Sequence, residues 1–563
     1  MLKFHLLPSI TRTIAGTVAA ALALSAAPAI ADTIVYDVNG MTVGEDGRIE
    51  RFHALVYDDD GRIVKIVKEG EKRPRDVKFG VDGKGRYLLP GMIDAHVHVM
   101  QLGFTGLTLD LSDTTSLQDA LEKIRRFAAA NPARPWILGR GWNQEKWGLG
   151  RFPTAAELDA VVGDRPVWLS RVDGHASWAN SMAMKQAGVT AQTADPDGGR
   201  IIRKAATREP EGVFVDAAEQ IVAKVVPAPR PADRDAALRE AQSRLFANGI
   251  TAVADMGTTI EDWQTFRRAG DVGALKLRIM AYADSVPSMQ LIAGPAPTPW
   301  LYQDRLRLNG LKLYLDGALG SRGARLKQAY SDEPGHFGLQ LLSPVQLRNL
   351  MSRAASENFQ VAVHAIGDAA NEELLSAIEE MADSYKGDRR WRIEHAQIVD
   401  PADVARMGRH GIIASMQPLH QSSDWRMAEA RLGPDRLDGA YAWRSIAAAG
   451  GRLAFGSDAP VEPADAFAGL AVAISRMDGA GEPFGGWRPQ EAIAREAALA
   501  AFTSGAAYAG FAEGRFGRLV VGERADFILV DRDPLLASPQ ELRDTRISET
   551  WVNGQKVFDI SAK

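Results

Sequence analysis

Between residues 92 and 457, with no internal sequence repeat, eight short apolar segments alternate with stretches of helical composition. The apolar segments cover residues 92–99, 250–256, 275–283, 311–316, 361–364, 392–396, 412–416 and 453–457. Strands that alternate with helices lie parallel, because each helix carries the chain back across a face of the sheet. Eight βα units predict an α/β fold of TIM type, a (β/α)8 barrel whose chemistry sits at the carboxyl ends of its strands. Residues 100–247 are too many for one βα connection, so they are expected to form a large insertion after strand 1, with strands of its own at 136–139 and 167–171. The insertion carries Trp142, Trp147, Trp168 and Trp178, which either wall a pocket for an apolar or aromatic substrate or pack as ordinary core.

The flanks have a different texture. Residues 33–43 and 54–67, and at the far end 518–521, 526–530 and 550–557, are short β-rich runs separated by Gly, Asp and Pro. They predict a small β-sandwich domain built from both ends of the mature chain, residues 32–86 with 511–563, around a central barrel of residues 87–510. Ahead of it, Lys3 and Arg12, the apolar run 14–24 and the small residues Ala29 and Ala31 have the layout of a cleavable signal peptide, residues 1–31. That apolar run is well short of the ~20 residues that span a bilayer. The expectation is an exported protein, periplasmic in a cell with two membranes, with no stable membrane insertion after the leader is cut. A net charge of −5, more negative still once Lys3 and Arg12 leave, gives no basic footprint for nucleic acid. The sequence is compatible with a homo-oligomer.

The chain has no cysteine, so a metal site has only imidazole and oxygen donors to draw on. It has ten histidines, and their positions are informative. His96 and His98 are two residues apart on the first strand, so both rings leave the same face. That stretch alone equally allows a metal-free pair of core histidines. On the fourth strand Lys312, Tyr314 and Asp316 alternate with leucines and face the barrel axis. A dehydrated amine there has a lowered pKa and can capture carbon dioxide as a carbamate, a two-oxygen anionic ligand. The plain alternative is an ion pair with Asp316. His364 and His395 stand near the ends of strands 5 and 6, and Asp458 follows strand 8 beside a turn, where a lone aspartate is usually a cap. Glu394 competes with His395 as a ligand only if the pleat of its strand is shifted.

Taken together, two histidines on strand 1, a lysine on strand 4, single histidines on strands 5 and 6 and an aspartate after strand 8 resemble the amidohydrolase superfamily. Residues 311–324, 364–368, 393–397 and 456–460, with Asp173-Gly174-His175 in the insertion, are similar to the amidohydrolase 3 (YtcJ-like) group, and residues 517–527 resemble that group's return into its β-sandwich. The resemblance implies a metal-dependent hydrolase with one or two divalent cations per chain. His96, His98 and Asp458 would hold one, His364 and His395 a second, and N-carboxylated Lys312 would bridge them. Zinc is the expected ion, manganese or iron the alternatives. The implied reaction is cleavage of a non-peptide carbon-nitrogen bond in a small-molecule substrate (an amide, formamide or cyclic amide) by a metal-bound hydroxide. Asp458 would accept the water's proton and pass it to the leaving nitrogen, and His175, ahead of Tyr314 and Arg322, would steady the carbonyl oxygen. The same site also suits an esterase, carbamate hydrolase or dipeptidase, and the same barrel suits a non-catalytic binding or regulatory protein.

Overall fold

The computed structural model describes residues 33–562, so the expected leader, residues 1–31, lies outside the described residues. Among the described residues the strands assemble into three sheets. The central one is parallel and runs Met92–Val97, Ile250–Thr258, Arg278–Ala283, Leu306–Tyr314, Gln360–Ala365, Arg392–His395, Ile413–Met416 and Arg452–Phe455. Each apolar segment expected from the sequence is therefore a barrel strand, in the expected order. The ring closes at its carboxyl end through two backbone bonds: Asp458 N–H donates to the His96 carbonyl at 2.7 Å and His98 N–H to the Ala459 carbonyl at 2.8 Å. Gly456 permits this seam, since a Cβ there would lie 2.5 Å from His96 N and 2.6 Å from Asp94 Oδ1.

Both ends of the described chain share a second sheet, ordered Gln555–Asp559, Ile547–Val552, Phe527–Val530, Tyr87–Pro90, Thr33–Val43, Ile49–Tyr57, Ile63–Val67, with Phe79–Asp82 pairing to Thr33–Val43. Tyr87–Pro90, assigned to the barrel on sequence, belongs here, so the barrel proper starts at Met92. Residues 518–521 do not form the strand expected of them. The Glu523 carboxylate takes both the Arg518 amide and its guanidinium at 3.0 Å, which bends the segment into a loop over the sheet. This sheet is tied to the barrel by Arg278 on the third strand, which is fully buried and meets Asp526 through two bonds of 2.5 and 2.8 Å.

The third sheet lies in the insertion, in the order Gly199–Arg203, Pro210–Asp216, Ala176–Ala179, Val167–Arg171, Ile137–Trp142, Leu109–Asp110. Of its tryptophans, Trp142, Trp168 and Trp178 are core. Trp142 and Trp178 are fully buried with ring centroids 6.2 Å apart, Trp147 packs on Trp178 at 6.5 Å, and Trp168 packs on Phe214. Their N–H groups are satisfied inside the insertion, Trp142 by the Leu169 carbonyl and Trp178 by the Thr154 carbonyl. The packing alternative thus holds for Trp142, Trp168 and Trp178, while Trp147 is half-buried against Trp178. Among the described residues no helix is long and apolar enough to cross a membrane.

Candidate metal centre

Where the first, sixth and eighth strands end, one ligand atom each from His96, His395 and Asp458 lies within 4.8 Å of the others, all three residues buried. Hydrogen bonds on the far sides of the rings decide what these atoms are. His96 Nδ1 meets Glu394 Oε2 at 2.6 Å, and a carboxylate only accepts, so the ring proton is on Nδ1 and Nε2 carries a lone pair. His395 Nδ1 meets Gln417 Oε1 at 2.8 Å, while the Gln417 amide N–H donates to the Ser415 carbonyl, so His395 is held in the same tautomer. Asp458 Oδ1 is buried and makes no hydrogen bond of good geometry, although His98 Nε2 is 3.1 Å and His96 Nε2 3.5 Å away. Lone pairs that converge in a buried space repel one another unless a cation sits among them. Lys312 Nζ, 3.3 Å from His96 Nε2, supplies part of the positive charge this cluster calls for. The donor set, neutral imidazoles and a carboxylate with no sulfur, fits a divalent metal ion.

Protonation follows the same division. Burial, and the charge of Lys312, push His96 down to about 4, and burial holds His364 and His395 well below the usual histidine value. These rings are neutral at pH 7, as ligands must be. Burial also pushes the Lys312 amine down to about 8. Asp458 is pushed up by burial, but its interaction with the His96 ring and the bond from His420 outweigh this and hold its carboxyl well below the ordinary range. Glu394 is likewise ionised, because buried Arg392 at 2.7 Å overcomes the effect of burial.

Of the ten histidines, six gather at this one place: His96, His98, His175, His364, His395 and His420. The His98 and His96 rings are 5.6 Å apart, His364 and His395 4.5 Å, and the Tyr314 ring lies tilted at 5.5 Å from His364. His364 Nε2 faces the Gly317 carbonyl at 3.4 Å and Asp316 Oδ1 at 3.5 Å. From the insertion, His175 reaches within 5.0 Å of the His364 ring, ring centre to ring centre. Its Nδ1 bonds Asp216 Oδ1 at 2.6 Å, and although burial lowers its pKa, Asp216 and the neighbouring carboxylates raise it to about 9.

Several expectations change. His395 groups with His96 and Asp458 rather than only with His364. Asp316 does not pair with Lys312; it accepts backbone N–H bonds from Arg325, Ile366 and Gly367 past the strand end. Arg322 is turned to Asp332 and Glu333 and takes no part. Glu394 faces inward as well as His395, because His395 and Ala396 have left-handed backbone (φ 77° and 46°) that breaks the strand's alternation. It acts as the partner that orients His96, not as a rival ligand. His420 went unnoticed in the sequence: it opens the helix Pro418–Leu432 after the seventh strand and bonds Asp458 Oδ2 at 3.2 Å. Its place just past an apolar strand end was the available signal.

Over most of its length the chain is similar to known proteins. The model of the Amidohydrolase family matches residues 80–558. YtcJ of Bacillus subtilis (strain 168), an amidohydrolase by name, is 32% identical over 521 residues, covering 90% of this chain and 96% of its own. N-substituted formamide deformylase of Arthrobacter pascens is 27% identical over 537 residues, 93% of this chain and 97% of its own. Among solved structures, an uncharacterized metal-dependent hydrolase from Pyrococcus horikoshii OT3 superposes with a TM-score of 0.72 at 25% identity, over 90% of this chain and 99% of that one.

Proposed function

The chain belongs to the amidohydrolase family of metal-dependent hydrolases, and on that basis we propose that it cleaves a non-peptide carbon-nitrogen bond of a small amide, formamide or cyclic amide. The observation that carries this reading is the meeting of His96 Nε2, which faces the Lys312 amine, a His395 ring nitrogen and Asp458 Oδ1, which is buried without a hydrogen bond. His96, His98, His395 and Asp458 would hold a first divalent ion, zinc by donor type, and His364 with N-carboxylated Lys312 would serve a second. When bound, the metal supplies a water acidic enough to ionise near neutral pH and polarises the carbonyl.

The chain's own groups do the rest. Asp458 takes the proton of the attacking water and returns it to the leaving nitrogen, so that the amine departs neutral. His420, bonded to Oδ2, fixes the carboxylate with Oδ1 turned to the cluster. Glu394 and Gln417 hold His96 and His395 in the ligating tautomer. His175 donates a hydrogen bond toward the carbonyl oxygen, where negative charge builds during attack. At Lys312, a free amine adds to carbon dioxide and sheds a proton to give the carbamate, a step eased by the lowered pKa. Export of the mature chain to the periplasm and reading of the end-to-end sheet as the family's β-sandwich complete the proposal.

The test is a panel of matched substrates: 4-nitroformanilide, 4-nitroacetanilide, a lactam, a carbamate, a dipeptide and 4-nitrophenyl acetate. Turnover of the formamide or another non-peptide amide, abolished by chelation and restored by zinc, is expected. Turnover confined to the ester or the dipeptide would replace the carbon-nitrogen assignment.

A further inference from the structure

Asp216 ends the insertion strand Pro210–Asp216, next to the strand that follows His175, and its amide donates to the His175 carbonyl at 3.0 Å. Its backbone has φ 48° and ψ −123°, a combination unfavourable for any residue with a side chain. Two features show what this conformation achieves. Oδ1 meets His175 Nδ1 at 2.6 Å. Oδ2 is buried without a hydrogen-bond partner and is pressed against the loop that follows the fourth barrel strand, where a Cβ on Gly317 or Gly323 would come within 2.6 or 2.7 Å of it. Neither glycine has left-handed backbone, so what they provide is room. The carbonyl of Gly317 faces His364 Nε2 at 3.4 Å, and the His175 ring lies beside the His364 ring. One carboxylate thus touches both the insertion's histidine and the barrel loop that backs a strand-end histidine.

We infer that Asp216 is a positioning residue for the hydrolytic reaction: seated in the Gly317/Gly323 cradle, it aims the Nε2 edge of His175 over the barrel mouth. The insertion is then a working wall of the active site, and the unfavourable backbone and the unpartnered oxygen are the cost of that placement. This inference rests on the hydrolase reading, so its test needs one arm that does not use turnover.

In the kinetic arm, wild type, Asp216→Asn, His175→Ala and the double variant are compared with 4-nitroformanilide, or with whichever matched amide turns over. Asp216→Asn is expected to lower kcat about tenfold or more with KM little changed and metal content intact, and the double variant to be no worse than His175→Ala alone. Multiplying effects, a change in KM only, or loss of metal in Asp216→Asn would overturn the inference. If Asp216→Asn does not fold, Gly323→Ala, which displaces the carboxylate, is expected to give the same non-additive pattern with His175→Ala. In the second arm, proton NMR of 15N-histidine-labelled protein should show a downfield Nδ1–H resonance that disappears in both Asp216→Asn and His175→Ala. Its absence in wild type, or its survival in Asp216→Asn, would refute the positioning even if no amide is hydrolysed.

Discussion

Asp458 has two oxygens with different surroundings: Oδ2 is bonded to His420 and Oδ1 stands among lone pairs. Replacing it with Asn keeps the shape but puts an N–H or a weak acceptor where a charged one is needed. Asp458→Asn is expected to lower kcat/KM by roughly 10³-fold or more, with thermal stability within a few degrees of wild type; a variant retaining a tenth of the activity would remove Asp458 as the base. Glu394 is a step further out. Glu394→Gln should weaken metal affinity on the order of 10–100-fold by releasing His96, and it should also destabilise the fold, because Arg392 would be left buried with its charge uncompensated. Metal affinity unchanged in a folded variant would contradict the orienting role. His175 gives a pH signature. Its folded value, about 9, is above the ordinary 6.5, so the stability it contributes is complete below about pH 6.5 and is lost as pH rises through about 9. The wild-type melting temperature should therefore fall over that window relative to Asp216→Asn, and parallel profiles would show that the pair contributes nothing to stability.

At the scale of strands and helices, the metal cluster depends on the seam between the last and first strands. Gly456→Ala would drive a Cβ into His96 N and Asp94 Oδ1, neither of which is a flexible end, and is expected to cost about 1–3 kcal/mol and to lower metal retention together. An alanine variant with wild-type melting and metal content would show that the seam is slacker than its distances imply. Strand positions were legible in the sequence because each barrel strand is a compact apolar run with a chemically distinct residue at its end. The backbone irregularities were not. Left-handed φ at His395 and at Asp458 (59°) has no signature in a non-glycine residue, so nothing in Ile393-Glu394-His395 announced that two adjacent side chains would both face the axis. Partners joined across the barrel, such as His96 with Glu394 or His395 with Gln417, escape local reading because only closure of the ring brings them together.

For the whole molecule, barrel and end-to-end sheet share one apolar core, in which Met41, Leu89 and Ile528 pack with Met92 and Ile250, and buried ion pairs cross between them. Arg278 and Asp526 connect barrel and end-to-end sheet without solvent access, and Asp526→Ala should cost on the order of 3–5 kcal/mol by leaving the guanidinium unpaired. Calorimetry is expected to show a lower melting temperature, and an unchanged one would mean the two units do not rely on this pair. The split of the outer sheet between both chain ends was readable from matching β-rich flanks, but its edge at Tyr87–Pro90 was not, since an apolar strand leading straight into the barrel looks like part of it. The insertion's size was plain and its role was not, because Asp216 and His175 lie 41 residues apart and meet only in the fold. All of these arrangements serve one claim, that neutral imidazoles and a carboxylate gathered at the strand ends hold a divalent cation. Chelator-treated protein titrated with zinc and assayed for bound metal by mass spectrometry tests it directly. Wild type should take up one or two ions per chain, and His96→Ala and His395→Ala should each lose the first of them while staying folded. A folded wild type that binds no ion, or uptake that neither substitution alters, would contradict it.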